Sequence, residues 1–181
     1  MKNISIIDVE TTGLDAQKHE IIEIGLVVFE SESPFKILNT FNTKVKPEHP
    51  ESGSAAAFAV NGYKEEEWKD APTLRQALGD LEEMAKGSTI MSYGICFDWS
   101  FLQEAYKKTK MRCPFDYHRL DLFTVAWMNI PHEEMSSWRL SSVCEKLGIA
   151  PEPAIHRAIN GATCGYDVYR ACLDKQNLLS L

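Results

Sequence analysis

Positive charge is scarce in this chain. Of its 181 residues, 19 are Lys or Arg against 26 Asp or Glu, a formal net charge of −7. Proteins that grip long duplex nucleic acid through its phosphates carry a basic excess, so extensive electrostatic wrapping is not expected. A small pocket for one or two anionic groups remains compatible with this balance, because bound metal ions can supply the positive charge. No apolar run approaches the length of a membrane span. The apolar stretch Ile4 to Ile7 is too short for a signal peptide and meets acids at once. Cysteine is present but unorganised: Cys96, Cys113, Cys144, Cys164 and Cys172 are odd in number, scattered, and never spaced Cys-x-x-Cys. That pattern predicts free thiols in a reducing cytoplasm, not disulfides or zinc. Repeats, low-complexity tracts and long linkers are also missing, so residues 1–181 are expected to form a single domain with a substantial core.

The chain opens with β patterning. Ile4 to Glu10 reads as a strand, Glu20 to Glu30 as a central strand of β-branched residues, and Phe35 to Val45 as a third. Their short connections predict antiparallel neighbours. Pro47 to Ser54 reads as loop, Ala55 to Tyr63 as a short helix ending at Asn-Gly, and Leu74 to Lys86 as a better one. A fourth strand is expected at Ser88 to Ser92. Helices follow from Phe97 to about Lys107, near Leu122–Met128, at Leu140–Leu147 closed by Gly148, and from about Arg157 to Leu178. Strands first and helix–strand alternation afterwards predict an α/β fold with a mixed sheet and packed helices.

Three clusters carry chemistry. In the first, Asp8-Val9-Glu10-Thr11-Thr12-Gly13-Leu14, the two acids stand two apart on a strand and share a face. Paired carboxylates on a buried strand repel and are costly to desolvate, and a hard divalent ion such as Mg²⁺ or Mn²⁺ is the usual remedy. Solvated acids before a turn are the ordinary alternative, and on this pair alone the preferred one. In the second cluster, Gly94-Ile95-Cys96-Phe97-Asp98-Trp99, Asp98 sits at a strand-to-helix junction where helix capping explains it equally well. The third contains His156-Arg157-Ala158-Ile159-Asn160-Gly161-Ala162. A single histidine near a helix start is more often an ordinary surface or core residue, and His19, His49, His118 and His132 are read that way.

In order and spacing, however, the clusters resemble one family. Asp-x-Glu-Thr-Thr-Gly-Leu, then Ile-Ile-Glu-Ile-Gly, then Phe-Asp-x-x-Phe-Leu, then His-Arg-Ala resemble the DEDDh 3′–5′ exonucleases, the group of the proofreading epsilon subunit on a ribonuclease H-like fold. Ala59-Val60-Asn61-Gly62, Leu120-Asp121-Leu122 and the segment Trp138 to Ile149 add weaker echoes, so the likeness spans nearly the whole chain.

The resemblance implies a three-layer fold with a mixed five-stranded sheet and helices on both faces. It implies two divalent ions, Mg²⁺ or Mn²⁺, held by Asp8, Glu10, Asp98 and the scissile phosphate, activating a water for in-line attack and steadying the leaving 3′-oxygen. His156 becomes the general base, since imidazoles ordinarily titrate near neutrality. Thr11, Thr12 and Leu14 would lie against the terminal nucleotide of a DNA or RNA 3′ end, with Phe58, Val60 and Asn61 across the pocket. The product would be a nucleoside monophosphate. A polymerase or a second copy of the chain is an implied partner.

Two positions depart from the family pattern. Gly94 replaces the Asn usual before Phe-Asp, and Gly161 stands where the family's last carboxylate belongs. Glycine ligates nothing through a side chain and costs up to roughly 1 kcal/mol in a helix interior. Helix neighbours do not substitute: Asn160 is turned by about 100°, Asp167 is off the face, and Cys164 suits softer metals. Three readings follow: a weakened but active site, a non-catalytic module that binds nucleic-acid ends or docks on a polymerase, or an introduced substitution in an active enzyme.

Overall fold

The computed structural model describes residues 2–179, with side chains as far as Asp174. Strands β1 (Ile4–Thr11), β2 (Ile21–Phe29) and β3 (Ile37–Lys44) form the expected antiparallel meander. Strands β4 (Thr89–Ser92) and β5 (Arg119–Asp121) then add in parallel on the other side of β1, giving the order β3-β2-β1-β4-β5. Between and after them run α1 (Ala55–Asn61), α2 (Glu65–Trp68), α3 (Leu74–Ala85), α4 (Ile95–Thr109), α5 (Leu122–Asn129), α6 (Leu140–Leu147) and α7 (Ala158–Leu179).

Alternation along the inner strands sorts the core into two halves, as period-2 side-chain geometry requires. Ile7 and Val9 of β1, with Ile24 and Leu26 of β2, face Leu78 and Leu81 of α3 and Phe101 and Leu102 of α4. Ile4 and Ile6, with Val27 and Phe29, face α5, α6 and α7 through Leu122, Val143 and Val168. Asp8 and Glu10 are in register with Ile4 and Ile6, so both carboxylates lie on the α7 side of the sheet.

Helix ends follow local chemistry. Thr73 and Gln76 form a reciprocal capping box that starts α3. Gly62 closes α1 and Gly148 closes α6, both with left-handed backbone. β3 is an edge strand held by its ladder to β2; none of its residues is fully buried, and Phe41 packs partly buried against the core. The short α2 was not expected: one side chain anchors it, the 1% exposed Trp68, whose indole N–H donates to the Ile22 carbonyl at 2.8 Å. A single turn with three glutamates carries no readable periodicity.

Candidate active site

The parallel ladder between β1 and β4 ends at Ile6 opposite Met91. β1 continues alone on that side, still paired with β2 as far as Glu10 opposite Glu23, where the register slips before Thr11. A crevice therefore opens at the carboxyl ends of two parallel strands whose connections depart to opposite sides, the usual ligand position in open α/β sheets. Asp98 fills its inner wall. One carboxylate oxygen accepts the Val9 N–H at 3.1 Å, a group β4 no longer reaches, and the other accepts the Ser92 hydroxyl at 2.7 Å.

Helix capping does not explain Asp98. The first N–H groups of α4, on Gly94 and Ile95, donate at 3.0 and 3.2 Å to Asp121 Oδ1 from β5. Asp121 Oδ2 in turn accepts the Thr124 N–H and hydroxyl and caps α5. One aspartate thus satisfies two helix starts and leaves Asp98 to the crevice. Gly94 has φ of +83°, left-handed backbone in which Asn is the best tolerated ordinary residue, so its exchange with Asn is conformationally coherent.

The electrostatics are unfavourable by design of position. Burial, then the charges of Asp98 and Glu10, holds the Asp8 carboxyl well above the usual range. Burial and the neighbouring Glu23 and Glu152 push Glu10 up to about 7, with Arg157 opposing. Asp98 rises to about 6 by burial, restrained by its hydrogen bonds from Ser92 and Val9. Neither Asp8 nor Glu10 receives a hydrogen bond from the described residues. Crowded, underneutralised oxygen donors fit a hard divalent cation. Among the described residues no group of three or more His, Cys, Asp or Glu side chains is arranged to hold a metal ion.

The α7 helix closes the site from above through small residues. A Cβ on Gly25, the β2 partner of Asp8, would come within 2.2 Å of the Ala158 backbone. A Cβ on Gly161 would lie 2.6 Å from Asp8 Oδ2, and one on Gly165 would lie 3.0 Å from the Ile6 side chain. Gly161 leaves room for the Asp8 carboxylate beneath α7. It permits the close approach of α7 to β1, which offsets the helix-propensity cost anticipated from sequence. The start of α7 is fixed by Glu23, whose carboxylate accepts the Ala158 N–H at 3.2 Å and faces Arg157 at 3.5 Å. Arg157 also donates to the Asn61 carbonyl at 2.6 Å, and the His156 N–H donates to the Val60 carbonyl at 3.0 Å. His156 is exposed on this short loop, beside the end of α1.

The six expected nucleotide-contacting residues divide into two kinds. Thr11, Thr12 and Asn61 are buried, and their polar atoms are used internally. The Thr11 hydroxyl donates to the Gly13 carbonyl, Thr12 Oγ1 accepts the Glu20 N–H, and the Asn61 amide bridges the Thr11 carbonyl and the Tyr63 N–H. They shape the wall. Leu14 and Val60 present open apolar surface, 84% and 46% exposed, while Phe58 is half-buried and stacks on Tyr63. A cleft is lined by Leu14, Trp99, Ser100 and Gln103; Asp8, Glu10 and Asp98 do not line it. Sequence reasoning gave no role to Glu23, Arg157 or Glu152. The readable signal for Glu23 was an acid inside an otherwise apolar strand.

Fold and site together define the class: a ribonuclease H-like three-layer domain with acidic residues gathered at its switch point. The family model described as Exonuclease (RNase_T) matches residues 5–169. The chain belongs to this exonuclease family. It is 29% identical to the PolC-type DNA polymerase III of Caldanaerobacter subterraneus over 94% of the chain, but spans only 11% of that relative. It is 26% identical to the DNA polymerase III epsilon subunit of Treponema pallidum, covering 86% of this chain and 69% of the relative. Escherichia coli Exonuclease I, solved with a dT13 oligonucleotide, superposes with a TM-score of 0.81 at 15% identity, covering 99% of this chain and 42% of that one. The nuclease domain of 3′hExo, a DEDDh family member bound to rAMP, gives 0.73 at 20% identity, covering 97% and 92%. Identities this low bear on the fold.

Proposed function

We propose that this chain is a divalent-metal-dependent 3′–5′ exonuclease that releases nucleoside monophosphates from single-stranded or frayed 3′ ends of DNA or RNA. The observation that carries the reading is the convergence of Asp8, Glu10 and Asp98 in the crevice, with ionisation disfavoured and little protein cation to neutralise them. Mg²⁺ or Mn²⁺ held there would supply Lewis-acid activation of water and neutralise charge on the phosphate. Asp98, fixed by two hydrogen bonds, is the preorganised ligand. Asp8 and Glu10 have their lone pairs free for the ion. His156 removes the proton from the attacking water, being exposed to solvent and anchored through its backbone to α1. Leu14 and Val60 offer apolar surface for the terminal base, and the buried Thr11, Thr12 and Asn61 keep that surface in place.

The cytoplasm is the compartment we infer, from the free thiols of Cys96, Cys113, Cys144 and Cys164. A polymerase partner follows from the kind of relative matched, and a second copy of this chain from the partly exposed aromatic group of Trp127 and Trp138. One observation favours a different reading. With glycine at 161, α7 brings no carboxylate to the site, as in a module that holds 3′ ends without cutting them.

Degradation of 5′-labelled single-stranded DNA and RNA by the chain and by its Asp8→Asn variant, in Mg²⁺, Mn²⁺ or EDTA, decides between them. A metal-dependent ladder shortening from the 3′ end, lost in the variant, is the expected result. Tight binding of both oligonucleotides without shortening would leave the end-binding module standing.

A further inference from the structure

A helix leaves its last carbonyls without intrahelical partners. α1 stops at Gly62, whose left-handed backbone turns the chain away. Two carbonyls of its last turn are taken up by consecutive residues of the segment before α7. The His156 N–H donates to the Val60 carbonyl at 3.0 Å, and Arg157 Nη1 donates to the Asn61 carbonyl at 2.6 Å. The first is a backbone bond that any ordinary residue at 156 could make. The second requires this side chain.

Arg157 is held from other directions as well. Its guanidinium faces the Glu23 carboxylate at 3.5 Å, with the Arg157 side chain 33% exposed and that of Glu23 only 4%. It also lies 5.6 Å from the ring centre of Trp68, within reach of a cation–π contact. Trp68 is itself fixed by its indole N–H to Ile22, the chain neighbour of Glu23. Glu23 stands opposite Glu10 in the β1–β2 ladder. On the other side, the Asn61 amide donates at 2.9 Å to the carbonyl of Thr11, the residue after Glu10. These contacts close a ring. It runs from Glu10 and Thr11 on β1 through Asn61 to Arg157, then through Glu23 and back across the ladder to Glu10. A permanently charged, planar group with several donors suits such a junction.

We propose that Arg157 is a positioning residue for the reaction: by tying the end of α1 to Glu23, it sets the His156 loop in a fixed place relative to Val60 and to the strand that carries Glu10. The inference rests on the exonuclease reading and deepens it, since one side chain then joins the general base to the wall of the nucleotide pocket. Arg157 acts through its chain neighbour His156 and not on the reacting atoms. Its removal has a local consequence. Glu23 still accepts the Ala158 N–H, so α7 keeps its start, while the loop before it loses its hold on α1.

The test combines amide hydrogen exchange, followed by NMR on the metal-free chain, with kcat and KM on a 5′-labelled single-stranded oligonucleotide in Mn²⁺. Wild type is compared with Arg157→Gln, Glu23→Gln and the exposed control Arg112→Gln. In Arg157→Gln the His156 amide should exchange at least about tenfold faster, as expected when a hydrogen bond from a charged group is lost. The amides of β1 and β2 should keep their protection. kcat should fall at least about tenfold, because small misplacements of a catalytic group are costly, while KM stays within about threefold. Glu23→Gln retains an acceptor for the Ala158 N–H but removes the charge facing Arg157, and should shift both quantities the same way by a smaller factor. The proposal is overturned if the His156 amide exchanges as in wild type in both variants. Protection lost evenly over the whole sheet would overturn it too, assigning Arg157 to general stability, as would a freed His156 amide with kcat unchanged. Wild type that cuts neither DNA nor RNA sinks the exonuclease reading, and with it any role in the reaction, whereas the exchange rates still decide whether Arg157 holds the loop.

Discussion

Two helices border the acidic crevice, and they serve it in opposite ways. α4 delivers a carboxylate and then holds it: Asp98 is locked by Val9 N–H and the Ser92 hydroxyl, with Asp121 relieving it of any capping duty. α7 delivers no carboxylate from its ligand position. It comes down onto β1 and β2 through Gly25, Gly161 and Gly165 until the helix backbone itself touches the sheet. One side of the site is therefore built by a positioned functional group, the other by the removal of side chains. The contrast teaches that a helix can shape a site by what it omits: a side chain at residue 161 would meet the Asp8 carboxylate.

The sharpest way to break the comparison is Asp98→Asn. It keeps the shape of the α4 side but removes the charge, and cleavage should fall on the order of 10³-fold, with Tm unchanged or raised. Retained activity in the oligonucleotide assay would show that the locked carboxylate is not a ligand. On the α7 side the matching substitution is Gly25→Ala. Its methyl would meet the Ala158 backbone at 2.2 Å, and overpacking against backbone should cost roughly 3 kcal/mol in denaturant unfolding. A cost below 0.5 kcal/mol would mean that α7 moves away freely.

Ser92→Ala probes the lock on Asp98. Loss of a hydrogen bond to a charged group costs about 1.5–3 kcal/mol, so activity at neutral pH should drop roughly tenfold or more. The activity–pH profile should also shift upward, because that bond restrains the raised carboxyl; an unshifted profile would mean Ser92 is merely a neighbour. Gly161→Asp tests the α7 side of the site directly. In EDTA the added side chain crowds Asp8 and brings more negative charge, lowering stability by about 1–2 kcal/mol. Mn²⁺ should narrow that gap. A variant as stable as wild type in EDTA would show that Asp8 yields without cost.

The smallest effect expected is on pH. Glu10 is raised from 4.5 to about 7 and Asp98 from 3.8 to about 6. A carboxyl raised by folding contributes stability that is full below its unfolded value and is lost as pH rises through its folded value. In EDTA, Tm should therefore decline between pH 5 and pH 8, and saturating Mn²⁺ should reverse the trend because binding requires the deprotonated acids. A Tm in EDTA that climbs over this window would contradict the crowded site.

Much of this protein was legible without coordinates. Asp8 and Glu10 share a face because strand geometry has period two, and the three opening strands pair antiparallel because their connections are short. The order of Asp8-x-Glu10, Asp98 and His156 identified the family, later matched over residues 5–169. The capped and glycine-closed helices were readable because their signals are local.

What the linear pattern left undetermined lies in contacts between distant segments. Asp98 could be a cap or a ligand until Asp121, 23 positions on, was found occupying the cap. Glycine at 161 read as a cost until Asp8 was found beneath it. Replacement carboxylates could be sought only along one helix, where spacing is calculable. Chain spacing fixes which neighbours share a face, because backbone periodicity is a local property. Which faces meet, and which atoms then lack room or a partner, is decided only when the helices close on the sheet.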